Sequence, residues 1–220
     1  MVSAMLDQAD AIKTLTPQQV DDLLYYCEET RKVARNRVIV LLTVDAGLTV
    51  TEISKLVRRD VMKDGLVCRE IRIQGKKART IPMSERLFDA ILDMQRALPG
   101  DQDSPVIVPE KWQDILRHRP FRPSSVAYVL YKLFVKAGLD ASSFAGRRTF
   151  VKEAMTYSPM VGASTSDIQA LSGLKSEQSL DRYGDRYAHS NVARVPIPFA
   201  RTPANRLRQV ALVDVIAKRA

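Results

Sequence analysis

Hydrophobic residues recur at helical spacing along most of the chain. The first such group shares one helix face and comprises Val20, Leu23, Leu24 and Cys27. A second group predicts a helix that stops near Gly47 and comprises Val33, Val38, Ile39, Leu41 and Leu42. The same periodicity predicts helices over about 84–97, 124–138, 145–157, 165–172 and 176–186, and an amphipathic helix over 204–220. The pattern therefore predicts a mostly helical protein.

Capping residues mark the starts of several predicted helices. The run from Thr16 to Gln19 has the spacing of a capping box, with proline in the first helical position. Thr49 and Glu52 repeat that spacing and predict a second, short helix. Ser124 and Ser125 are the candidate caps of the helix that ends near Gly138.

The hydrophobic period changes to two within residues 66–81. Apolar and polar residues alternate from Val67 to Ile73, and Gly75 precedes a second run at Thr80 and Ile81. This pattern predicts an antiparallel hairpin of two or three strands. Residues 98–123 are predicted as a loop with a short strand over 106–108. The predicted fold class is mainly α with a small antiparallel β-sheet (α+β).

The charge balance favours a polyanionic partner. The 220-residue chain has 34 Lys and Arg against 25 Asp and Glu, which gives a formal charge of +9. Such an excess is typical of nucleic-acid-binding proteins, although a solvated basic surface has the same balance. No apolar run has the length of a membrane span, and residues 1–10 lack the cationic segment of a signal peptide. We expect a cytoplasmic, nucleoid-associated protein with no membrane partner.

Cysteine and histidine are too sparse and too scattered to predict a metal site or a disulfide. Cys27 and Cys68 lie far apart and are predicted to be small hydrophobes in a reducing compartment. The two histidines, His118 and His189, belong to no cluster with zinc-ligand spacing. No metal and no cofactor are therefore predicted.

Five short motifs follow one another in a fixed order. Residues 46–53 read Ala-Gly-Leu-Thr-Val-Thr-Glu-Ile, 75–82 read Gly-Lys-Lys-Ala-Arg-Thr-Ile-Pro, and 142–150 read Ser-Ser-Phe-Ala-Gly-Arg-Arg-Thr-Phe. Residues 168–174 then read Ile-Gln-Ala-Leu-Ser-Gly-Leu, and Tyr183 follows their glycine by ten positions. This series resembles the catalytic domain of the tyrosine recombinase, or phage integrase, family. The resemblance implies an N-terminal extension over 1–13, an integrase-like catalytic domain over 14–188, and a linker and C-terminal helix over 189–220.

The resemblance also implies a chemistry for these motifs. In the family, a tyrosine oxygen attacks a DNA phosphate while two arginines bind the non-bridging oxygens. A lysine and one or two histidines assist proton transfer, and no metal or cofactor takes part. Tyr183 matches the nucleophile, Arg147 matches the second arginine, and Lys76 is the candidate lysine. A gapless alignment places Gln74 at the lysine position instead, and Lys77 is also near it.

Three family positions hold residues that lack the required groups. Thr49 replaces the first arginine, and Phe144 and Leu174 replace the two histidines. We therefore expect impaired or lost strand cleavage. Three arginines lie near Thr49 in the sequence and are candidate substitutes for the first arginine: Arg31, Arg35 and Arg58. Tyr187 is the alternative nucleophile.

Basic residues beside the motifs are the candidate DNA contacts, and they are Arg35, Lys55, Arg58, Arg59, Lys77, Arg79, Arg119, Arg122 and Arg148. Double-stranded DNA is the expected partner because duplex affinity comes mainly from phosphate contacts. Residues 204–220 resemble the element that family members dock onto a neighbouring protomer, which predicts a homo-oligomer or a complex with an intact recombinase. Two alternatives remain: an active recombinase that uses Tyr183, and a regulator or accessory factor with a helix-turn-helix over 41–57.

Overall fold

The structure is a computed structural model that describes residues 13–98, 100–108, 120–176, 178–181 and 183. Its helices are α1 (Pro17–Glu28), α2 (Val33–Val44), α3 (Val50–Lys55), α4 (Glu85–Ala97), α5 (Pro123–Lys136), α6 (Ala145–Tyr157), α7 (Thr165–Ser172) and α8 (Gln178–Asp181). Its strands are β1 (Met62–Lys63), β2 (Leu66–Val67), β3 (Glu70–Ile73) and β4 (Arg79–Pro82). Short 3₁₀ helices span Arg58–Asp60 and Ser158–Val161. The predicted fold class, mainly helical with small antiparallel pairing, is confirmed.

The core is organised around α2. Every residue from 38 to 44 is buried, which is expected for a helix enclosed by other elements. Helices α1, α3, α4, α5 and α6 all pack against it. Because full burial of a Val, Leu or Ile side chain stabilises a fold by about 1.5–3 kcal/mol, this helix anchors the domain. In the described part of the chain, no helix combines the length and the apolar character that crossing a bilayer requires.

Both predicted capping boxes are present. At α1, the Thr16 hydroxyl accepts from the Gln19 amide (3.2 Å), and the Gln19 side chain accepts from the Thr16 amide (2.8 Å). At α3, Thr49 and Glu52 make the same reciprocal pair, at 3.2 and 2.8 Å. Each box satisfies backbone N–H groups that the first helical turn leaves without partners. The capping box therefore fixes where α3 begins, and with it the position of the Glu52 carboxylate.

The strands form two separate antiparallel pairs rather than one hairpin. β1 pairs with β2, and β3 pairs with β4 through the register Glu70↔Pro82 to Ile73↔Arg79. The alternating run from Val67 to Ile73 is divided between the two pairs: the Cys68 amide donates to the Val61 carbonyl on the β1 side (2.8 Å), and the Arg69 carbonyl accepts from the Met83 amide on the β4 side (2.8 Å). β3 and β4 bury their isoleucines on one face, as the period of two predicts.

Helix α5 begins one residue earlier than predicted. Pro123 occupies its first turn and Arg122 is its N-cap, so Ser124 and Ser125 lie inside the helix. Proline favours this position because its φ is already helical and its missing N–H would have no intrahelical partner. The fixed geometry of proline therefore outweighs the capping preference of the two serines.

One further prediction differs from the structure. Residues 106–108 form no strand; among the described residues, the pairing nearby is an isolated bridge between Val57 and Pro105. Val106 and Ile107 are apolar because they are buried in the core, not because they belong to a ladder. Of the helix predicted over 176–186, the structure describes α8, while residues 177, 182 and 184–186 lie outside the described residues. Residues 1–12 and the predicted helix over 204–220 lie outside the described residues.

Candidate active site

Arg147 joins two parts of the chain that are far apart in sequence. It projects from the first turn of α6, and its side chain is only 10% exposed. One Nη donates to the Gly47 carbonyl in the α2–α3 turn (2.7 Å), and the other donates to the Ser172 carbonyl at the end of α7 (2.7 Å). These bonds bring the motifs at 46–53, 142–150 and 168–174 together at one place.

Glu52 bridges Arg147 to a second guanidinium. Its Oε1 accepts from Arg79 Nη1 (2.6 Å), and its Oε2 lies 3.5 Å from Arg147 Nη1. The Thr49 hydroxyl also donates to Oε2 (2.9 Å). The two arginines and the single carboxylate, here named the arginine cluster, carry a net charge of +1. Because Glu52 lies in the first turn of α3 and Arg79 at the start of β4, only the folded chain assembles this cluster.

Arg79 is held against the end of α7. Its Nε donates to the Leu171 carbonyl (3.0 Å), and its Nη1 also makes a longer bond to the Lys77 carbonyl (3.3 Å). A Cβ on Gly173 would lie 2.9 Å from Nη1, so glycine is required there for close packing as well as for its φ of +68°. Within the described residues, Arg79 Nη2 is buried and has no hydrogen-bond partner.

The charges of the cluster set the direction of its pKa shifts. Burial opposes ionisation of Glu52, but hydrogen bonds from Arg79 and Thr49 outweigh it and hold the pKa of Glu52 below its ordinary value. Burial likewise lowers the pKa of Arg147, and the charge of Glu52 partly opposes this. A cluster of this kind stays ionised at neutral pH, since its single carboxylate has a lowered pKa.

Tyr183 lies beside the cluster. Its ring is partly buried and packs against the core, and its amide donates to the Leu180 carbonyl (2.8 Å). Its oxygen lies within electrostatic range of the Arg147 guanidinium and raises the pKa of Arg147, against the larger effect of burial. Tyr187 lies outside the described residues.

The other family positions surround the same place but lack the chemistry. Thr49 is occupied as the cap of α3. Phe144 is 50% exposed at the start of α6, and Leu174 is partly buried against the core. None of these three side chains carries a positive charge, and neither Phe144 nor Leu174 can donate or accept a proton.

The hairpin between β3 and β4 supplies three candidates for the lysine position. Lys76 is exposed at its turn. Lys77 Nζ donates to the Gly173 carbonyl (2.7 Å), which places its ammonium next to Arg79. Gln74 donates to Asp60 (3.1 Å), which is not a residue of the arginine cluster. Of the three, Lys77 is the one that the structure brings to the arginine cluster.

The basic residues predicted to contact DNA divide into two groups. Arg35 and Arg58 are buried: Arg35 bonds to Asn36 (3.0 Å) and stacks over Phe121, and Arg58 bonds to Gln95 and the Leu98 carbonyl. Burial lowers the pKa of Arg58, an effect that nearby Asp101 opposes. Arg59 pairs with Asp103 at the surface. Besides Arg59, the exposed candidates are Lys55, Lys77 and Arg122. Arg148 is partly exposed, Arg79 belongs to the arginine cluster, and Arg119 lies outside the described residues.

These placements bear on the three arginines that were candidate substitutes for the missing one. Arg58 is bound to α4 and the residue after it, and Arg35 is bound within its own helix. Arg31 is exposed in the turn between α1 and α2. The guanidinium that accompanies Arg147 in the structure belongs to Arg79. Sequence reasoning missed this partnership and the role of Glu52, because the capping box accounts for Glu52 without any further function.

Comparison with known proteins identifies the family of the chain. The phage integrase family model matches residues 13–193, so the chain belongs to the phage integrase family. It is 32% identical over 140 residues to the tyrosine recombinase XerA of Thermococcus kodakarensis, covering 63% of this chain and 47% of that protein. The chain thus spans about half the length of the curated relatives it matches.

Solved structures share the fold at lower identity. A crystal structure of XerA recombinase superposes with a TM-score of 0.61 at 22% identity, covering 77% of this chain and 57% of that one. The Tn1549 transposon integrase in complex with transposon right end DNA gives a TM-score of 0.61 at 16% identity, covering 81% of this chain and 62% of that one. At these identities the likeness shows the fold, that of tyrosine recombinase catalytic domains.

Proposed function

We propose that this domain binds duplex DNA as a tyrosine-recombinase catalytic domain whose strand cleavage is impaired. The observation that carries the proposal is the arginine cluster beside Tyr183. It supplies positive charge and a nucleophile in one place, as phosphoryl transfer to a tyrosine requires. The family positions that lack charge or a transferable proton, at Thr49, Phe144 and Leu174, support the impairment.

The proposed reaction defines what is missing. The Tyr183 oxygen would attack the phosphorus of a DNA phosphodiester, forming a 3′-phosphotyrosyl bond as the bond to the 5′ oxygen breaks. The tyrosine loses a proton and the departing 5′ oxygen gains one. Arg147 would bind a non-bridging oxygen, and Lys77 or Lys76 would donate the proton to the leaving oxygen. No histidine is present at the family positions to assist the proton transfers.

General magnitudes make the impairment substantial. Loss of one preorganised donor to the transition-state oxygens costs about 10²–10³ in rate, and loss of one proton-transfer group costs about 10²–10⁴. Such losses do not simply multiply, because catalytic groups act as a unit. DNA binding is less affected, since it depends on many phosphate contacts. Lys55, Lys76, Arg122 and Arg148 are the exposed or partly exposed residues proposed to make them.

The helix-turn-helix alternative has little support from the geometry. Helix α3 has only six residues and packs against α5. A recognition helix must project into the major groove, whereas α3 packs Ile53 into the core and holds Glu52 within the arginine cluster. A role as an accessory factor that competes for a recombination site remains compatible with the proposed function.

DNA binding is tested by selecting ligands from a pool of randomised duplexes and measuring their mobility shift. We expect log affinity to fall linearly with log salt from about 50 to about 200 mM, with a slope of about −0.9 per phosphate contacted. Tyr183→Phe should bind as tightly as the wild type, because it loses no charge. Absence of a shift at about 50 mM salt contradicts the proposed function.

Impaired cleavage is tested on a nicked duplex of the selected sequence, which traps the covalent complex when the short strand end diffuses away. Restoring both histidines, in Phe144→His/Leu174→His, should accelerate formation of the adduct by at least about 10²-fold. Phe144 is half exposed, so its substitution should cost little stability. Tyr183→Phe is the control and should give no adduct. Equal rates in the wild type and the double variant would mean that cleavage is not impaired.

A further inference from the structure

The structure raises the question of what replaces the family's first arginine. Thr49 stands at that position, its hydroxyl bonded to Glu52 and its backbone capping α3. It cannot supply positive charge to a phosphate. Nevertheless, a second guanidinium lies next to Arg147, on the opposite side of the Glu52 carboxylate, and it comes from β4.

We propose that Arg79 supplies the second phosphate-binding guanidinium, so that Arg79 and Arg147 together form a site for one tetrahedral oxyanion. This inference rests on the proposed function, because the physiological oxyanion would be the scissile DNA phosphate. Two guanidiniums on different elements bind a phosphate more strongly than one, since both contribute charge-assisted N–H donors to the same oxyanion.

The first argument is the unpaired donor. The Arg79 side chain is only 6% exposed, and its Nη2 is buried without a hydrogen-bond partner among the described residues. Leaving a buried charged donor unsatisfied costs about 1–3 kcal/mol or more. A bound phosphate oxygen would remove that cost. The fully used Nε and Nη1 hold the guanidinium in place, so Nη2 is the group left for a ligand.

The second argument is the charge of the surroundings. The cluster has one carboxylate for two guanidiniums, and Lys77 Nζ lies on the carbonyl of Gly173, against which Arg79 packs. This local excess of positive charge favours the binding of an anion. Arg147 keeps a tenth of its side-chain surface accessible, so the cluster is not completely closed to solvent.

The third argument is pre-organisation. Arg79 is tied to α7 through the Leu171 carbonyl, and Arg147 is tied to the same helix end through the Ser172 carbonyl. The neighbouring carbonyls therefore fix the two guanidiniums relative to each other. Fixed donors bind a transition-state oxyanion better than mobile ones, because they need no reorganisation during the reaction. Arg79 is in this respect a better replacement than an exposed arginine such as Arg31.

The test uses inorganic phosphate, which needs no knowledge of the DNA target. Millimolar phosphate should raise the melting temperature of the wild type by about 3 °C relative to chloride at equal ionic strength. Arg79→Gln should lose most of this rise. Arg72→Gln is the matched control, because Arg72 lies in the same hairpin and is exposed, and it should keep the rise. Retention of the full rise by Arg79→Gln overturns the inference.

A second measurement covers the case in which Arg79→Gln does not fold. Crystals of the wild type are soaked in tungstate, a tetrahedral dianion that is visible by anomalous scattering. An ion that contacts both Arg79 and Arg147 supports the inference. An ion on Arg147 alone, or none at this place, overturns it. Failure of the wild type to bind duplex DNA would instead overturn the proposed function, whatever the small anions do.

Discussion

Two buried clusters of charge in this domain have opposite compositions. The arginine cluster places one carboxylate between two guanidiniums. A second cluster, here named the acidic cluster, places the single guanidinium of Arg86 with the carboxylates of Asp45 and Glu153. Arg86 Nε donates to Asp45 (2.6 Å), Ser84 also donates to Asp45 (2.6 Å), and Glu153 interacts electrostatically with both charged residues. The comparison isolates the effect of charge ratio, because both clusters lie in the interior of the same domain.

The two clusters shift their glutamates in opposite directions. Burial alone raises the pKa of any carboxyl group. At Glu52, hydrogen bonds from Arg79 and Thr49 overcome burial and lower the pKa. At Glu153, burial and the charge of Asp45 act together against the attraction of Arg86, and the pKa rises to about 7. The ratio of guanidiniums to carboxylates, rather than burial, decides the sign.

This difference also separates function from structure. An excess of guanidinium attracts an anion, and Tyr183 acts electrostatically on Arg147 of the arginine cluster. An excess of carboxylate attracts a proton, and the acidic cluster joins the end of α2 to α4 and α6 through residues that lie outside the motifs at 46–53, 75–82, 142–150 and 168–174. Under the proposed function, the first cluster serves DNA chemistry and the second serves packing.

The largest expected effect is that of removing the charge from Glu52. Glu52→Gln should lower the free energy of unfolding at pH 7 by about 3–4 kcal/mol, since it leaves two buried guanidiniums without their shared carboxylate. Because the folded-state pKa of Glu52 is lowered, its contribution is present above the ordinary pKa and is lost as the pH falls through the folded value. Urea unfolding of both proteins at pH 7 and pH 4 measures this difference.

The control for Glu52→Gln is another glutamate that pairs with an arginine at the surface. Glu85 lies 2.5 Å from Arg69, and both side chains are about half exposed. Glu85→Gln should change the free energy of unfolding by less than about 1 kcal/mol. If the two variants lose the same free energy of unfolding, the Glu52 carboxylate does not stabilise the arginine cluster more than a surface ion pair would.

An intermediate effect is expected where Arg79 packs against the backbone. Gly173→Ala places a Cβ within 2.9 Å of Arg79 Nη1, in a residue with a φ of +68°. Gly138→Ala has nearly the same φ, +65°, but nothing within 4 Å of the added Cβ. We expect a loss of about 1 kcal/mol for Gly138→Ala and about 2 kcal/mol for Gly173→Ala, as measured by urea unfolding.

The difference between the two glycine variants measures the contact with Arg79 alone. The left-handed backbone contributes equally to both, so the excess for Gly173→Ala reports displacement of the guanidinium. Equal losses would show that Arg79 moves aside without cost. In that case Arg79 is not held rigidly, and the argument from pre-organisation loses its support.

Much of the fold, but little of the cluster geometry, follows from the sequence. The helices, their capping boxes at Thr16 and Thr49, and the hairpin were all predicted from local patterns, because caps and periodicity act within a few residues. The pairing of Glu52 with Arg79 joins positions 27 apart, and Arg147 reaches carbonyls 100 and 25 residues away. No local pattern encodes such contacts.

The mistaken predictions have the same origin. Val106 and Ile107 look like a strand because they are apolar, but tertiary burial is sufficient to explain them. The sequence suggested Arg31, Arg35 and Arg58 as substitutes for the missing arginine because they are near Thr49 along the chain. Nearness in sequence did not point to Arg79, which β4 brings to Glu52 from a separate hairpin.

A pH-dependent effect distinguishes the acidic cluster. The folded-state pKa of Glu153 is about 7, above the ordinary value of 4.5, so the native protein binds a proton there that the unfolded chain releases. This group's stabilisation is fully present below about pH 4.5 and is lost as the pH rises to about 7. Glu153→Gln keeps the neutral form at every pH. Its gain in stability over the wild type should be larger at pH 8 than at pH 5, by about 2–3 kcal/mol.

Thermal and urea unfolding at pH 5 and pH 8 test this sign, and Glu70→Gln is the control because Glu70 is exposed on β3. The control should stay within about 0.5 kcal/mol of the wild type at both pH values. A gain for Glu153→Gln that is the same at pH 5 and pH 8 would show that Glu153 does not change its protonation in this range. The contrast between the two variants is the sharper result. Glu153→Gln should stabilise the domain at alkaline pH, and Glu52→Gln should destabilise it at neutral pH. Opposite signs from the same substitution are expected from the opposite charge surroundings of the two carboxylates, to which the hydrogen bonds from Thr49 add at Glu52.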